Sequence, residues 1–248
     1  MRIWQWGDRE FVQEVSLLQA FGITPLEKRI ALVGAGGKTT LLFALAEELC
    51  RQGRRVIVTT STHIRRPEGF FITGSDRTGA LRALDEQGVV VLGSGVPQRK
   101  LCAPEAAFLA ELAEHANHVL IEADGSRMLP AKAPADHEPV LDGDEALVIA
   151  VTGWKAFGHR IQEVCHRPER VMSLLGKAEN AVLTPADAAL LLASPQGGRK
   201  LVKHRFAAVI NQVDGAAQLR DASLCAVRLR TLLAPDCRIL ALGREEAC

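Results

Sequence analysis

Short apolar runs alternate with amphipathic segments along most of the chain. Seven apolar runs predict buried strands, at residues 29–33, 55–60, 89–92, 118–121, 145–151, 206–210 and 238–242. Segments with helical spacing lie between them, at residues 38–51, 77–87, 104–116, 168–176, 186–192 and 218–233. Strands that alternate with helices favour a mainly parallel sheet with helices on both faces. We therefore expect one α/β domain over all 248 residues.

The first 25 residues follow a different pattern. Four large apolar residues recur at the spacing of one helix face: Phe11, Val15, Leu18 and Phe21. A glycine and a proline follow, which are typical of a helix end. We expect an amphipathic helix over residues 8–21, so that residues 1–25 form a helical extension packed on the domain.

A glycine-rich turn stands between the first apolar run at residues 29–33 and the helix after it. It has the sequence Gly34-Ala35-Gly36-Gly37-Lys38-Thr39-Thr40. Glycines allow backbone N–H groups to turn toward an anion, and the N-terminus of the helix adds partial positive charge. In such a loop Lys38 reaches the outer phosphates of a nucleotide, and the hydroxyl of Thr39 binds Mg²⁺. We predict a P-loop NTPase-like fold in which residues 34–40 bind the phosphates of ATP or GTP.

Two other interpretations of this turn conflict with particular residues. The usual phosphate loop, G-x-x-x-x-G-K-[ST], needs glycine where Leu32 stands. The loop is instead the shorter G-x-x-G-K-T-T, a form that resembles the loop of Mur-type peptide ligases. A dinucleotide fold needs glycine where Thr39 stands and an acid after the next strand, where the chain has Thr59 and Thr60. A plain glycine turn between a strand and a helix stays open.

Two acids follow the apolar run at residues 118–121. Glu122 and Asp124 are two positions apart, so they share a face in a regular strand. Acids at a strand end beside a phosphate loop can bind Mg²⁺, directly or through water, or orient a nucleophile. We predict that both are metal ligands with Thr39 and that they act in catalysis with Lys38. A simple pair of acids in a turn is the alternative.

A proline-rich segment comes next, at residues 127–139. Its three prolines exclude a helix or a central strand, so we expect a loop at the carboxyl edge of the sheet. Open α/β sheets hold ligands at that edge. Four charged or titratable residues of the loop are candidates for binding a second substrate: Arg127, Lys132, Asp136 and His137. The alternative is a solvated connection.

The late strand at residues 206–210 ends in Asn211-Gln212-Val213-Asp214. This N-x-x-D pattern resembles the guanine-reading element of GTPases, in which the aspartate accepts hydrogen bonds from the base. Gln212 stands where that element has lysine, so the choice between ATP and GTP stays open. We include Asn211 and Asp214 among the predicted nucleotide-binding residues. The alternative is a turn in which Asp214 caps the next helix.

Composition narrows the class of protein and its compartment. Lys and Arg nearly balance Asp and Glu, for a net charge of +1, which favours neither nucleic acid nor an anionic membrane as a partner. No apolar run has the length of a membrane span, and the N-terminus lacks the pattern of a secretion signal. The six cysteines are scattered without a C-x-x-C pair. We expect reduced thiols in a cytoplasmic protein.

Six stretches of the chain carry a resemblance to one family: residues 33–40 (VGAGGKTT), 58–64 (VTTSTHI), 121–134 (IEADGSRMLPAKAP), 137–139 (HEP), 166–169 (HRPE) and 210–214 (INQVD). The chain resembles the YqeC-like proteins, proposed accessory factors for selenium-dependent molybdenum hydroxylases. The resemblance implies a nucleotide-dependent step in maturing a selenium-containing or molybdopterin cofactor, with a molybdenum hydroxylase as partner. The step can be hydrolysis or phosphoryl transfer, a Mur-like ligase or kinase reaction on a small acid, or nucleotide-gated delivery by a chaperone or scaffold without chemistry on the cofactor.

Overall fold

The apolar runs form the strands of one large sheet in the computed structural model, which describes residues 1–96 and 100–244. The strands are β1 (Arg2–Trp6), β2 (Phe11–Glu14), β3 (Arg29–Gly34), β4 (Val56–Thr60), β5 (His63–Arg65), β6 (Ile72–Thr73), β7 (Val89–Leu92), β8 (Ser94–Val96), β9 (Lys100–Cys102), β10 (His118–Glu122), β11 (Ala131–Lys132), β12 (Leu147–Gly153), β13 (Cys165–His166), β14 (Arg205–Asn211) and β15 (Arg238–Gly243). The helices are α1 (Leu17–Phe21), α2 (Lys38–Arg51), α3 (Arg77–Gln87), α4 (Ala106–Ala113), α5 (Ile161–Val164), α6 (Pro168–Leu175), α7 (Pro185–Ala193) and α8 (Ala216–Leu232), with a 3₁₀ turn at Trp154–Ala156.

The main sheet has ten strands in the order β2-β1-β15-β14-β12-β3-β10-β4-β7-β6. All neighbouring pairs are parallel except the two that involve β1. From β3 the chain continues to β4 on one side, whereas from β12 it continues to β14 on the other. The connections therefore diverge between β3 and β12, and such a switch point is where open α/β sheets hold their ligands.

The strand β3 shows how the sheet separates two hydrophobic cores. Ile30 and Leu32 pack on the face covered by α1 and α2, whereas Ala31 and Val33 pack on the face covered mainly by α3, α4, α7 and α8. Strand side chains alternate between faces, so a strand buried on both sides is apolar at every position. The predicted α/β class, with a mostly parallel sheet and helices on both faces, is confirmed.

The helix α2, which follows the glycine turn, packs through one apolar face. Its fully buried leucines recur at positions that a helix brings to one side: Leu41, Leu42, Leu45 and Leu49. Burial of each such side chain contributes about 1.5–3 kcal/mol. This packing holds the start of α2 rigidly against the end of β3.

The predicted N-terminal helix over residues 8–21 is wrong in its first half. Strands β1 and β2 form an antiparallel hairpin that extends the main sheet through β15, and only α1 is helical. Phe11 packs edge-on against Trp6, with ring centroids 5.0 Å apart, while Val15 is 91% exposed. The hydrogen bonds offered by the edge of β15 outweigh the local helical spacing.

Two small sheets lie outside the main one. Strands β5, β9 and β8 form an antiparallel sheet, and β11 pairs in parallel with β13. The β11–β13 pair fixes part of the proline-rich segment, which is otherwise irregular as predicted. No helix in the described part of the chain is long and apolar enough to cross a bilayer.

Candidate phosphate-binding site

The glycine turn lies at the switch point, between the carboxyl end of β3 and the start of α2. Gly36 has a φ of +84°, and a Cβ there would lie 2.3 Å from the backbone nitrogen of Gly153. Gly37 has a φ of +112°, and a Cβ there would lie 2.3 Å from Nδ2 of Asn211. Only glycine fits this path, because both the left-handed conformation and the close neighbours exclude a side chain. The observed conformation thus explains the residue type at both positions.

The start of α2 presents a row of unpaired donors. In the described chain, no protein atom accepts a hydrogen bond from five successive backbone N–H groups, those of Gly36, Gly37, Lys38, Thr39 and Thr40. No side chain caps the helix, and its first turn contains no acid. Unpaired amides at a helix N-terminus, together with the helix dipole, form a positive site that suits an anion.

Lys38 lies inside this site and is almost completely buried. Its Nζ donates to the carbonyl of Gly34 at 2.6 Å and lies 3.1 Å from Oδ1 of Asp124 and 3.7 Å from Oε1 of Glu122. Burial by itself lowers the pKa of Lys38, but the charges of Asp124 and Glu122 raise it above its ordinary value. The lysine is therefore a fixed cation at the base of the loop.

Glu122 and Thr39 are in direct contact at the start of α2. Thr39 Oγ1 donates to Glu122 Oε2 at 2.6 Å, and Glu122 is 6% exposed. Burial raises the pKa of Glu122, although Lys38 and the Thr39 hydroxyl oppose that rise. A carboxylate and a hydroxyl in contact can share a Mg²⁺ ion or a metal-bound water.

Asp124 has surroundings unlike those of Glu122. Its Oδ2 accepts from the N–H of Gly34 at 2.9 Å and lies 3.0 Å from Nζ of Lys132, while Oδ1 faces Lys38. Both oxygens thus face ammonium groups, and the residue is 1% exposed. The structure brings the two predicted acids together with Lys38 and Thr39, but it places Asp124 between two lysines rather than beside the hydroxyl.

A second ion pair lies next to Asp124 and joins Lys132 to Glu138. Nζ of Lys132 donates to Glu138 Oε2 at 2.6 Å and to the carbonyl of Gly125 at 2.7 Å, and the lysine side chain is 1% exposed. Arg167 donates two hydrogen bonds to the same glutamate, at 2.7 Å and 3.0 Å. Burial by itself raises the pKa of Glu138, but Lys132 and Arg167 lower it to about 2. Lys132 is therefore an internal cation whose contacts are all within the protein.

The other predicted second-substrate residues lie on the surface. Asp136 pairs with Arg170 through two hydrogen bonds of 2.8 Å, and its side chain is 90% exposed. The hydrogen bonds from Arg170 lower the pKa of Asp136. His137 and Arg127 are exposed, and Arg127 has a left-handed φ of 49°. Of the four predicted second-substrate residues, only Lys132 is buried.

Glu138 and Arg167 were not among the predicted site residues, although both lie in stretches that carry the family resemblance. Their contact joins positions 29 residues apart, and no local spacing predicts it. The β11–β13 pairing, which places Lys132 opposite His166, brings Arg167 to Glu138. Burial, with the cations of Arg167 and Lys132, lowers the pKa of His166.

The strand-end Asn211 reaches the glycine turn. Its Nδ2 donates to the carbonyl of Gly36 at 2.8 Å, and its Oδ1 accepts from the N–H of Gln212. Asp214 follows β14 along the chain, and its Oδ1 accepts at 2.8 Å from the N–H of Arg244, the residue after β15. Asn211 thus braces the loop, while one oxygen of Asp214 is already engaged by the backbone.

One other acidic group in the described residues has a geometry that suits a metal, formed by Asp142, Asp144 and Glu145. Arg29 pairs with Asp142 and with Asp144, and Glu145 accepts the N–H groups of Asp142 and Gly143. The group lies before β12, at the opposite edge of the sheet from the glycine turn. Both oxygens of Glu145 and one oxygen each of Asp142 and Asp144 therefore already have protein partners.

The cysteines agree with the expectation of free thiols. Those in the described residues are unpaired, namely Cys50, Cys102, Cys165, Cys225 and Cys237. Burial raises the pKa of Cys165 to about 12, so this thiol stays protonated at neutral pH.

The mostly parallel sheet, the glycine turn at its switch point and the helix that follows define an α/β protein with a P-loop NTPase-like fold. Comparison with known families then identifies the chain more closely. The family described as YqeC protein matches residues 30–169, and the chain belongs to the YqeC family. It is also similar to a protein of Escherichia coli (strain K12), described as uncharacterized protein YqeC, with 37% identity over 180 residues that cover 70% of each chain. Residues 30–169, which match the family, contain the glycine turn, both acids and the Lys132–Glu138–Arg167 cluster, whereas Asn211 and Asp214 lie outside this range.

Proposed function

We propose that this protein binds a magnesium–nucleoside triphosphate at residues 34–40 and hydrolyses it or transfers its terminal phosphoryl group. The row of five unpaired N–H groups at the start of α2, with Lys38 buried at its base, carries the proposal. A polyphosphate supplies acceptors for these donors and negative charge for the helix dipole. A plain glycine turn needs neither the buried lysine nor the acids around it.

The residues at this site fit a magnesium ion as well as phosphates. Thr39 and Glu122 offer two oxygens in contact with each other, beside the unpaired amides. When bound there, Mg²⁺ would neutralise charge on the outer phosphates. Lys38 adds a fixed positive charge, and Glu122 can hold a water molecule for attack on the terminal phosphate. Asp124 orients Lys38 and the end of β3.

The choice of base is a separate part of the proposal. A guanine-reading aspartate uses both carboxylate oxygens, and one oxygen of Asp214 accepts from the backbone of Arg244. Asn211 contacts the loop rather than a base. These contacts favour a site that binds ATP and GTP without strong preference.

The decisive experiment is calorimetric titration of the protein with Mg-ATP and Mg-GTP. The Lys38→Ala variant is expected to lose roughly 10- to 150-fold in affinity, since a hydrogen bond to a charged group contributes about 1.5–3 kcal/mol. Lys28→Ala is the matched control, because Lys28 is exposed just before β3, at the opposite end of the same strand. Circular dichroism and Tm establish that both variants are folded. If the unaltered protein binds neither nucleotide, or if Lys38→Ala binds as tightly as it does, the proposal is wrong.

We further propose that nucleotide turnover serves the maturation of a selenium-containing or molybdopterin-type cofactor in the cytoplasm, with a molybdenum hydroxylase as partner. Family membership supports this role through the resemblance described above. A thermal-shift screen with molybdopterin nucleotides, with and without Mg-ATP, tests it, because a ligand that binds only the folded state raises Tm. Phosphate release that needs a small molecule would indicate a ligase or kinase, whereas release stimulated only by the hydroxylase would indicate a chaperone.

A further inference from the structure

A line of alternating charges runs from the phosphate site to the start of α6. Its members are Lys38, Asp124, Lys132, Glu138 and Arg167. The successive closest contacts are 3.1 Å, 3.0 Å, 2.6 Å and 2.7 Å. Each interior member contacts opposite charges on both sides. The line therefore connects the base of the glycine turn to the residue that precedes α6.

The burial of this line makes its members depend on one another. The side chains of Lys38, Asp124 and Lys132 are each at most 2% exposed, and that of Glu138 is 7% exposed. Removing one partner of a buried ion pair leaves an uncompensated charge, which costs far more than the loss of a surface pair. Nζ of Lys132 donates hydrogen bonds to Glu138 and to the carbonyl of Gly125, and it forms an ion pair with Asp124. Its position against Asp124 therefore depends on Glu138.

We propose that Glu138 is a positioning residue that couples the phosphate site to the segment at the start of α6. The proposal rests on the function proposed above. Asp124 faces Lys38 on one oxygen and Lys132 on the other. A phosphate that attracts Lys38 weakens the pair between Lys38 and Asp124, so Asp124 then interacts more strongly with Lys132. Glu138 transmits this change, because it binds Lys132 and Arg167 with the same carboxylate. Nucleotide binding then alters the hydrogen bonding of residues 165–171, and by linkage that segment alters nucleotide affinity to the same degree.

A nearby ion pair provides a matched control. Asp136 lies two residues before Glu138, and it also binds an arginine of α6 with two hydrogen bonds, but its side chain is 90% exposed. Exposed pairs contribute little because water screens them. Asp136 has no contact with Lys132 or Asp124 among its hydrogen bonds and ion pairs. The Asp136→Asn variant therefore tests whether the loss of an exposed ion pair between the proline-rich segment and α6 has the same effect as the loss of the buried one.

The experiment compares Glu138→Gln with Asp136→Asn in the full-length protein. Calorimetry measures the Kd for Mg-ATP, and hydrogen exchange measures the amide protection of residues 165–171 with and without Mg-ATP. We expect Glu138→Gln to weaken binding by about tenfold, the scale typical of a lost supporting contact behind a ligand site. We also expect this variant to lose the nucleotide-dependent change in amide protection. Asp136→Asn is expected to keep both the Kd and the change in protection of the unaltered protein.

If the unaltered protein binds nucleotide and Glu138→Gln matches it in Kd and in exchange, the coupling is refuted while the proposed function stands. If Asp136→Asn shows the same losses as Glu138→Gln, the buried line is not the cause. If the unaltered protein binds no nucleotide, both proposals fall. Should Glu138→Gln fail to fold, Arg167→Gln removes the outer end of the line while Lys132 still pairs with Glu138, and the same two measurements decide.

Discussion

Replacing Glu138 by glutamine is expected to destabilise the protein by an amount that depends on pH. Glutamine keeps the size of the side chain and one acceptor oxygen, so the change is mainly a loss of charge. Burial by itself raises the pKa of Glu138, yet its contacts with Lys132 and Arg167 lower the pKa from 4.5 to about 2. A difference of this size corresponds to about 3 kcal/mol of folding free energy, at about 1.4 kcal/mol for each pKa unit.

The sign of the pH dependence follows from the lowered pKa. The unfolded chain takes up a proton near pH 4.5, before the folded one does. The stabilisation by Glu138 is therefore complete above that value and is lost as the pH falls toward about 2. The free-energy difference between the unaltered protein and Glu138→Gln is expected to be about 3 kcal/mol at pH 7 and about half of that near pH 3.

Urea unfolding followed by tryptophan fluorescence at pH 7, 5, 4 and 3 measures this difference. Other carboxylates titrate in both proteins, so subtracting one free energy of unfolding from the other removes their contribution. Asp136→Asn serves again as control, because the Asp136 side chain is 90% exposed and its pair with Arg170 contributes little. A difference that stays the same from pH 7 to pH 3, or one below about 1 kcal/mol at pH 7, would refute the reasoning about this buried pair.

Three further predictions concern the phosphate site. Gly36→Ala is expected to destabilise the protein by more than about 2 kcal/mol and to abolish nucleotide binding, because its left-handed φ and its contact with Gly153 both oppose a Cβ. Gly53→Ala, with a φ of +71° and open space around it, is expected to lose only about 1 kcal/mol and to bind normally, which chemical denaturation and calorimetry can check. Thr39→Val is expected to make nucleotide affinity independent of Mg²⁺, and equal Mg²⁺ dependence in both proteins would contradict the metal assignment. Asp214→Asn is expected to change ATP and GTP affinity equally, and a selective loss of GTP would restore the guanine-reading interpretation.

The local sequence pattern was sufficient to predict the strands and helices that depend on interactions between neighbouring residues. Apolar runs buried on both faces predicted the parallel strands, and the spacing of leucines predicted α2. The positions of the glycine turn and of the acid at the end of β10 could also be predicted, since parallel strands that alternate with helices place both at one edge of the sheet. These features depend on residues that are close in sequence or on the shared edge of parallel strands.

Tertiary structure decided the features that depend on distant partners. Residues 8–21 have the spacing of a helix, but part of this stretch lies in a hairpin. The edge of β15 offers hydrogen bonds to β1 that no local pattern reveals. Lys132 was predicted to bind a second substrate from a loop, yet the fold buries it between Asp124 and Glu138. The sequence alone thus determined the α/β class and the phosphate-loop candidate, whereas only the fold determined which charges meet inside the protein. Ion pairs form between residues that folding brings together, and their separation along the chain carries no periodic signal.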